Sequence, residues 1–188
     1  MNMLSQRDLD IIHKFADAGQ WESFLLAFGN HSNGEGLDRW GAFEIFFDKI
    51  PDDKKHEMTM LVYTSCEGIG QYMNKYLQAI KKLRPADLLE PIREHIDEKG
   101  FLTIYRGGVE VANPTLQKSW TVSKDIAEWF AKRYGFMGDS IVYRGIIKES
   151  NVIAYTNDRQ EQEIIQYRNV KNVEIVERFY KADWKTPE

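Results

Sequence analysis

The chain of 188 residues carries 25 Lys and Arg against 29 Asp and Glu, a net charge of −4, with 43% hydrophobic and 13% aromatic residues. That length suits one fair-sized domain or a small pair, and the apolar content is ample for a buried core, so disorder is expected only at the ends and in one loop. The negative balance excludes the broad basic footprint of a nucleic-acid-binding surface. The charge is uneven: residues 1–100 hold 12 basic and 17 acidic side chains, and residues 101–188 hold 13 and 12. An acidic first half suits a basic partner surface, or is simply a set of solvated helix faces. Cys66 is the single cysteine, so no disulfide forms within the chain; with no CxxC or HExxH spacing, no metal is expected. Its apolar surroundings mark it as a small core residue. The apolar runs are too short to span a bilayer and the first ten residues lack the layout of a signal peptide, so the chain reads as soluble and cytoplasmic with no membrane partner.

In chain order, the first 97 or so residues have helical period. Ser5-Gln6-Arg7-Asp8 resembles a capping box, followed by Leu9, Ile12 and Phe15 on one face and by Gly19 as a stop. Trp21, Phe24, Leu25 and Phe28 repeat at helical spacing, and residues 29–36 are a loop by composition. Trp40, Phe43, Phe47 and Ile50 mark another amphipathic set that ends at Pro51. The clearest helix is predicted near 67–83, with Ile69, Tyr72, Met73, Tyr76, Leu77, Ile80 and Leu83 in one stripe. A shorter helix is predicted at 86–97, terminated by Gly100. These stripes predict core rather than a binding groove.

After Gly100 the period becomes two, and strands are predicted at 101–106, 140–147, 151–155, 163–167 and 173–180. One helix, 125–134, interrupts them, with Ser123 or Thr121 available as its N-cap. The layout is α+β: a helical region over 1–98 for support or recognition, then a strand-rich unit over 99–188.

Three features of the second half carry chemistry. Tyr105-Arg106-Gly107-Gly108 closes a strand with a planar guanidinium fork suited to phosphate, beside glycines that permit close backbone approach; alone, it is an ordinary turn. Ser119-Trp120-Thr121 places two hydroxyls on one side of a short extended piece, where they can orient a carboxylate or a ligand amide, or where Thr121 can cap the helix. Glu161-Gln162-Glu163 runs into an apolar strand, and in an extended chain its two carboxylates point the same way, about 6–7 Å apart. Like charges on one face cost free energy unless they have work or partners, although an exposed acidic edge is common.

The order Tyr-Arg-Gly, then Ser-x-Thr before a helix with Ala127, Phe130 and Ala131, then Glu-x-Glu opening a strand, resembles the arginine-directed mono-ADP-ribosyltransferases of the cholera-toxin-like class. The likeness covers about 101–180 and is nearest to small bacteriophage enzymes of the Alt and Mod type. It implies a helical N-terminal region followed by a mixed β ADP-ribosyltransferase fold, with NAD⁺ as substrate. The acceptor it implies is a host or defence protein, and the setting the host cytoplasm. By position, Glu163 is the carboxylate that stabilises the ribosyl cation, oriented by Ser119, with Thr121 in support. Arg106 binds a phosphate or ribose, and Gly107 holds the nicotinamide amide through its backbone. Glu161 directs an arginine acceptor, because a carboxylate can grip a guanidinium and help remove its proton. The segment from Tyr155 to Gln160 becomes the acceptor loop, and Arg133 to Asp139 the loop over nicotinamide, where Tyr134 or Phe136 stacks. Two departures stand out. Trp120 replaces a small residue, with its indole expected in the core, and Gln160-Glu161-Gln162-Glu163 permits a slipped register that Ile164-Ile165 argues against. Rival readings are an NAD⁺ glycohydrolase on the same site, or an inactive binding protein that blocks a host complex.

Overall fold

In a computed structural model the described residues are 4–31, 36–134 and 138–180. The chain divides into two compact units, Met1–Leu83 and Arg84–Glu188.

The first unit is helical: α1 (Gln6–Ile11) continues as one π-turn over Ile12–Ala16, followed by α2 (Trp21–Leu26), α3 (Arg39–Phe46), α4 (Asp52–Ser65) and α5 (Asn74–Ile80). The capping box forms: the Ser5 hydroxyl accepts from the Asp8 N–H at 3.1 Å, and the Asp8 carboxylate accepts from the Ser5 N–H at 2.9 Å. Asp38 caps α3 by accepting from the Gly41 N–H at 2.7 Å. Phe24, Leu25, Phe43, Val62, Met73, Leu77 and Ile80 are fully buried and Cys66 is buried, so the later apolar stripes make core, whereas of the first stripe Leu9 is exposed and Ile12 and Phe15 are half-buried.

Two elements differ from expectation. The longest helix of this unit, α4, covers a stretch for which no helix is predicted. Its buried positions include His56 and Thr59 beside Met58 and Val62, so no clean apolar stripe announces it. Thr59 is accommodated by donating to the Lys55 carbonyl at 2.6 Å, a bond within its own helix. The helix predicted over 67–83 contracts to α5 and a 3₁₀ turn, Lys81–Leu83. Gly68 at φ +73° starts the chain on a turn instead, and Tyr72, expected in the stripe, is exposed.

Among its described residues the second unit is a six-stranded sheet with one α-helix laid on it: β1 (Phe101–Val109), β2 (Ser119–Thr121), α6 (Lys124–Tyr134), β3 (Ser140–Lys148), β4 (Ala154–Thr156), β5 (Glu163–Ile165) and β6 (Lys171–Phe179). The strand order is β4-β5-β2-β1-β3-β6 and every described pairing is antiparallel, so the α+β class stands while the mixed sheet expected from the family resemblance does not. Alternation gives the sheet two buried faces. Leu102, Ile104, Trp120, Ile141, Tyr143 and Ile164 form one core, and Trp120 lies in it as its position predicts. On the opposite face Ala127 and Ala131 of α6 pack with Val142 and Tyr105.

The segment 84–98 belongs to this sheet unit rather than to the helical region. Leu89 and Ile92 join the Leu102–Trp120 core, and Arg84 donates to the carbonyls of Glu149 and Val152 at 2.7 and 2.8 Å. The predicted helix over 86–97 appears as a 3₁₀ stretch, Glu90–His95, kinked at Ile92. Pro91 explains this, since it has no N–H to give and its ring crowds the preceding turn. Gly100, at φ +76°, closes the tight turn into β1 that Asp97 holds by accepting from the N–H groups of Lys99 and Phe101.

Candidate active site

Glu163 opens β5 between two neighbours, paired with Thr121 of β2 on one side and Thr156 of β4 on the other. Both partners fix its backbone, and its side chain is 6% exposed. Ser119 sits two residues before Thr121 on the same face, the diagonal position from which a hydroxyl reaches a glutamate. Its hydroxyl neighbours the Glu163 carboxylate and lowers that group's pKa. Burial pushes the Glu163 pKa up from the ordinary carboxylate value; the Ser119 hydroxyl and the Arg159 charge pull it back, and the Glu161 charge pushes it up again.

Arg106 reaches the same strand from β1. Its Nη1 donates to the Ser119 carbonyl at 2.6 Å, which ties the guanidinium to the backbone of the residue that serves Glu163. β1 and β2 pair at Tyr105 and Thr121, so Arg106 lies just where the described pairing of these strands ends. Gly107 has a structural reason to be glycine: a Cβ there would stand 1.7 Å from the Ala127 carbonyl oxygen and 2.6 Å from the Ala131 nitrogen. The absent side chain is what lets α6 lie directly on β1.

Thr121 is buried, and its hydroxyl accepts from the Ser123 N–H at 3.1 Å, shaping the turn into α6. Ser123 is the cap, accepting from the Ile126 N–H at 3.3 Å. Of the two uses open to Thr121, its hydroxyl thus serves the entry to the helix. Phe136 and the side chain of Tyr134, the stacking candidates, lie outside the described residues, as does most of the loop between them and Asp139.

The acceptor segment departs from its predicted geometry. β5 begins at Glu163, as the predicted strand over 163–167 does, and Tyr155, which belongs to both the predicted strand 151–155 and the predicted acceptor loop, is part of β4, half-buried against the Leu102–Trp120 core. Between them residues 157–162 form a tight turn with Gln160 and Gln162 in the left-handed region, at φ 59° and 45°. The turn is closed by the Gln160 N–H on the Asn157 carbonyl at 2.9 Å and the Gln162 N–H on the Asn157 side chain at 3.0 Å. The extended alternation that would align the two glutamates is therefore absent, yet they still converge. Arg159 Nη2 lies 3.0 Å from Glu161 Oε2 and 3.3 Å from Glu163 Oε2.

Arg159 has no counterpart among the residues singled out from sequence. No motif marks it; its only signal is a cation two and four positions before the two glutamates, which becomes meaningful once the turn folds it back. Gln166 was also missed. Fully buried, it donates to the Thr115 carbonyl at 3.3 Å and accepts from the Asn169 N–H at 2.8 Å, anchoring the run that leads into β2. Arg106, Ser119, Glu163 and Glu161 thus form one linked group, with Gly107 and Thr121 beside it as packing and turn residues. No helix among the described residues is long and apolar enough to cross a membrane. Comparison of the chain with protein-family models, with curated proteins and with solved structures finds no match.

Proposed function

We propose that the second unit is an NAD⁺-dependent mono-ADP-ribosyltransferase with an ADP-ribosyltransferase fold, that Glu163 is its catalytic carboxylate, and that its acceptor is an arginine. The observation that carries this reading is a buried glutamate with a serine on the same face of the adjacent strand, and a second glutamate two residues away whose carboxylate meets the same guanidinium.

Breaking the bond between nicotinamide and ribose builds positive charge on the ribose, and a fixed anion beside that carbon stabilises it, as in glycosidases. Glu163 suits the task because two ladders hold its backbone, so little reorganises as the charge develops. Its raised pKa reflects an anion kept from water, where it acts more strongly on a neighbouring cation. Ser119 and Arg159 act against burial and lower that pKa. Arg106, anchored on the Ser119 carbonyl, presents a guanidinium for a phosphate or ribose hydroxyl. Glu161 grips the acceptor guanidinium and receives its proton. A cytoplasmic bacteriophage effector modifying a host or defence protein is the setting that fits the resemblance to the Alt and Mod enzymes.

The test is incubation with NAD⁺ labelled on the adenylate phosphate, together with agmatine and a bacterial lysate. Label on agmatine or on lysate arginines supports the proposal. Free ADP-ribose alone identifies an NAD⁺ glycohydrolase, and intact NAD⁺ identifies a binding protein without the activity.

A further inference from the structure

The guanidinium of Arg159 already occupies the place where the proposed reaction requires an acceptor. One nitrogen, Nη2, contacts both carboxylates, at 3.0 Å from Glu161 and 3.3 Å from Glu163. Other arginine ion pairs of this unit join solvated partners: Glu174 beside Arg144 is 52% exposed and Glu110 beside Arg178 is 54% exposed. Glu163, at 6%, is not a surface carboxylate that gathers a passing cation. The turn that delivers Arg159 is itself constrained, with Gln160 and Gln162 held in left-handed conformations and Gln162 tied through its carbonyl to Val122, just after β2, whose N–H it accepts at 3.3 Å. Arg159 is 54% exposed, so its far side stays open to an incoming molecule.

We propose that Arg159 is an internal acceptor, a site at which the chain ADP-ribosylates itself in cis. This rests on the transferase reading given above. In the step, Arg159 Nη2 forms a bond to the anomeric carbon of the NAD⁺ ribose. The bond from that carbon to the nicotinamide nitrogen breaks, and its electron pair leaves with neutral nicotinamide. The proton displaced from the guanidinium passes to Glu161 and then to water, so the product keeps a charged, singly substituted guanidinium. An acceptor delivered by its own turn is already within reach of both carboxylates, so the reaction needs no encounter with a second protein. The modified side chain then carries an ADP-ribose over Glu161 and Glu163, which closes the site to external acceptors.

The full chain is incubated with NAD⁺ alone at two protein concentrations tenfold apart, with nicotinamide release followed and the protein analysed by intact mass and fragmentation. The expected result is one ADP-ribose per chain at Arg159, formed at a rate per chain that dilution leaves unchanged. In Arg159→Lys that modification is absent, and the time course of transfer to added agmatine, which in wild type slows as the site closes, stays linear whatever its initial rate. Nicotinamide release with Arg159 unmodified overturns the internal acceptor and leaves the transferase reading standing. Modification at Arg159 whose rate per chain falls tenfold on dilution overturns the cis route. Absence of any nicotinamide release overturns the transferase reading and this inference with it.

Discussion

Gly107→Ala tests the contact between α6 and the sheet, which places the helix directly over β1. An ideal Cβ at this position would meet the Ala127 carbonyl oxygen at 1.7 Å and the Ala131 nitrogen at 2.6 Å. Both are backbone atoms of a helix and no side-chain rotation relieves them. Restoring ordinary contact requires α6 to move off β1 by roughly 1.5–2 Å, and a gap of even ~0.5–1 Å forfeits a quarter to a half of the dispersion attraction across it. Ala127, Ala131 and Val142 are fully buried at this contact, so the loss is spread over the whole helix face. Overpacking of a core typically costs about 1–3 kcal/mol, and a clash with rigid backbone belongs at or above the top of that range. For a unit of this size about 3 kcal/mol lowers the melting temperature by roughly 12 °C or more. Thermal unfolding followed by circular dichroism gives the measurement. Gly138→Ala serves as the matched control, since a Cβ there meets nothing. A Gly107→Ala protein melting within roughly 3 °C of wild type, a shift worth under about 1 kcal/mol, refutes the close helix–strand contact.

Glu163→Gln is expected to lower NAD⁺ cleavage by on the order of 10²–10³ or more, because the amide keeps the shape without the charge. The same variant should melt no lower than wild type at pH 7. A carboxyl whose pKa is raised by folding costs stability at every pH above its folded pKa, a cost that fades as pH falls through that value, and Gln removes it. Half of wild-type cleavage, or a clear drop in melting temperature, contradicts this account. Glu161→Gln should leave cleavage running while transfer to agmatine falls, releasing free ADP-ribose; transfer at the wild-type rate makes Glu161 a bystander. The pH profile of kcat/KM for NAD⁺ should rise through an apparent pKa above the ordinary carboxylate value of 4.5, since Glu163 must be ionised and burial raises its pKa. Arg159→Ala removes a charge that lowers this pKa, so the limb should move to higher pH; a limb that moves down reverses the assignment.

The parts of the molecule legible in the sequence are those set by periodicity and caps. The capping box at Ser5, the core stripes of the helical unit, the change to period two after Gly100 and the amphipathic helix before Tyr134 all follow from local residue patterns. What escaped depends on context. α4 is polar along much of its length and buries a histidine and a threonine, so only packing reveals it. The expected boundary at residue 98 falls inside a segment that docks on the sheet through Leu89 and Ile92, a long-range contact that composition does not encode. The expected mixed sheet rests on a family likeness alone, since no local pattern distinguishes a mixed sheet from an antiparallel one. At the candidate site the residue types were readable, but the partner that joins them, Arg159, required the path of the chain.

That path separates the two glutamates in kind. Glu163 lies within a three-residue strand paired on both sides, so moving it means breaking two ladders. Glu161 lies on a turn whose neighbours Gln160 and Gln162 both adopt left-handed backbone without being glycine, a strain of about 1–3 kcal/mol at each residue that the surroundings must hold in place. What holds it are bonds to Asn157, one bond to Val122, and the Arg159 clasp across the carboxylates. A strand of alternating residues would have fixed both carboxylates with equal rigidity. On the proposed reading, two ladders fix the group that meets developing charge, while the group that receives the acceptor guanidinium is placed by the strained turn and its few contacts. On this view the left-handed residues are part of the chemistry: relaxing the turn would carry Glu161 away from Glu163 and split cleavage from transfer without touching the proposed catalytic carboxylate.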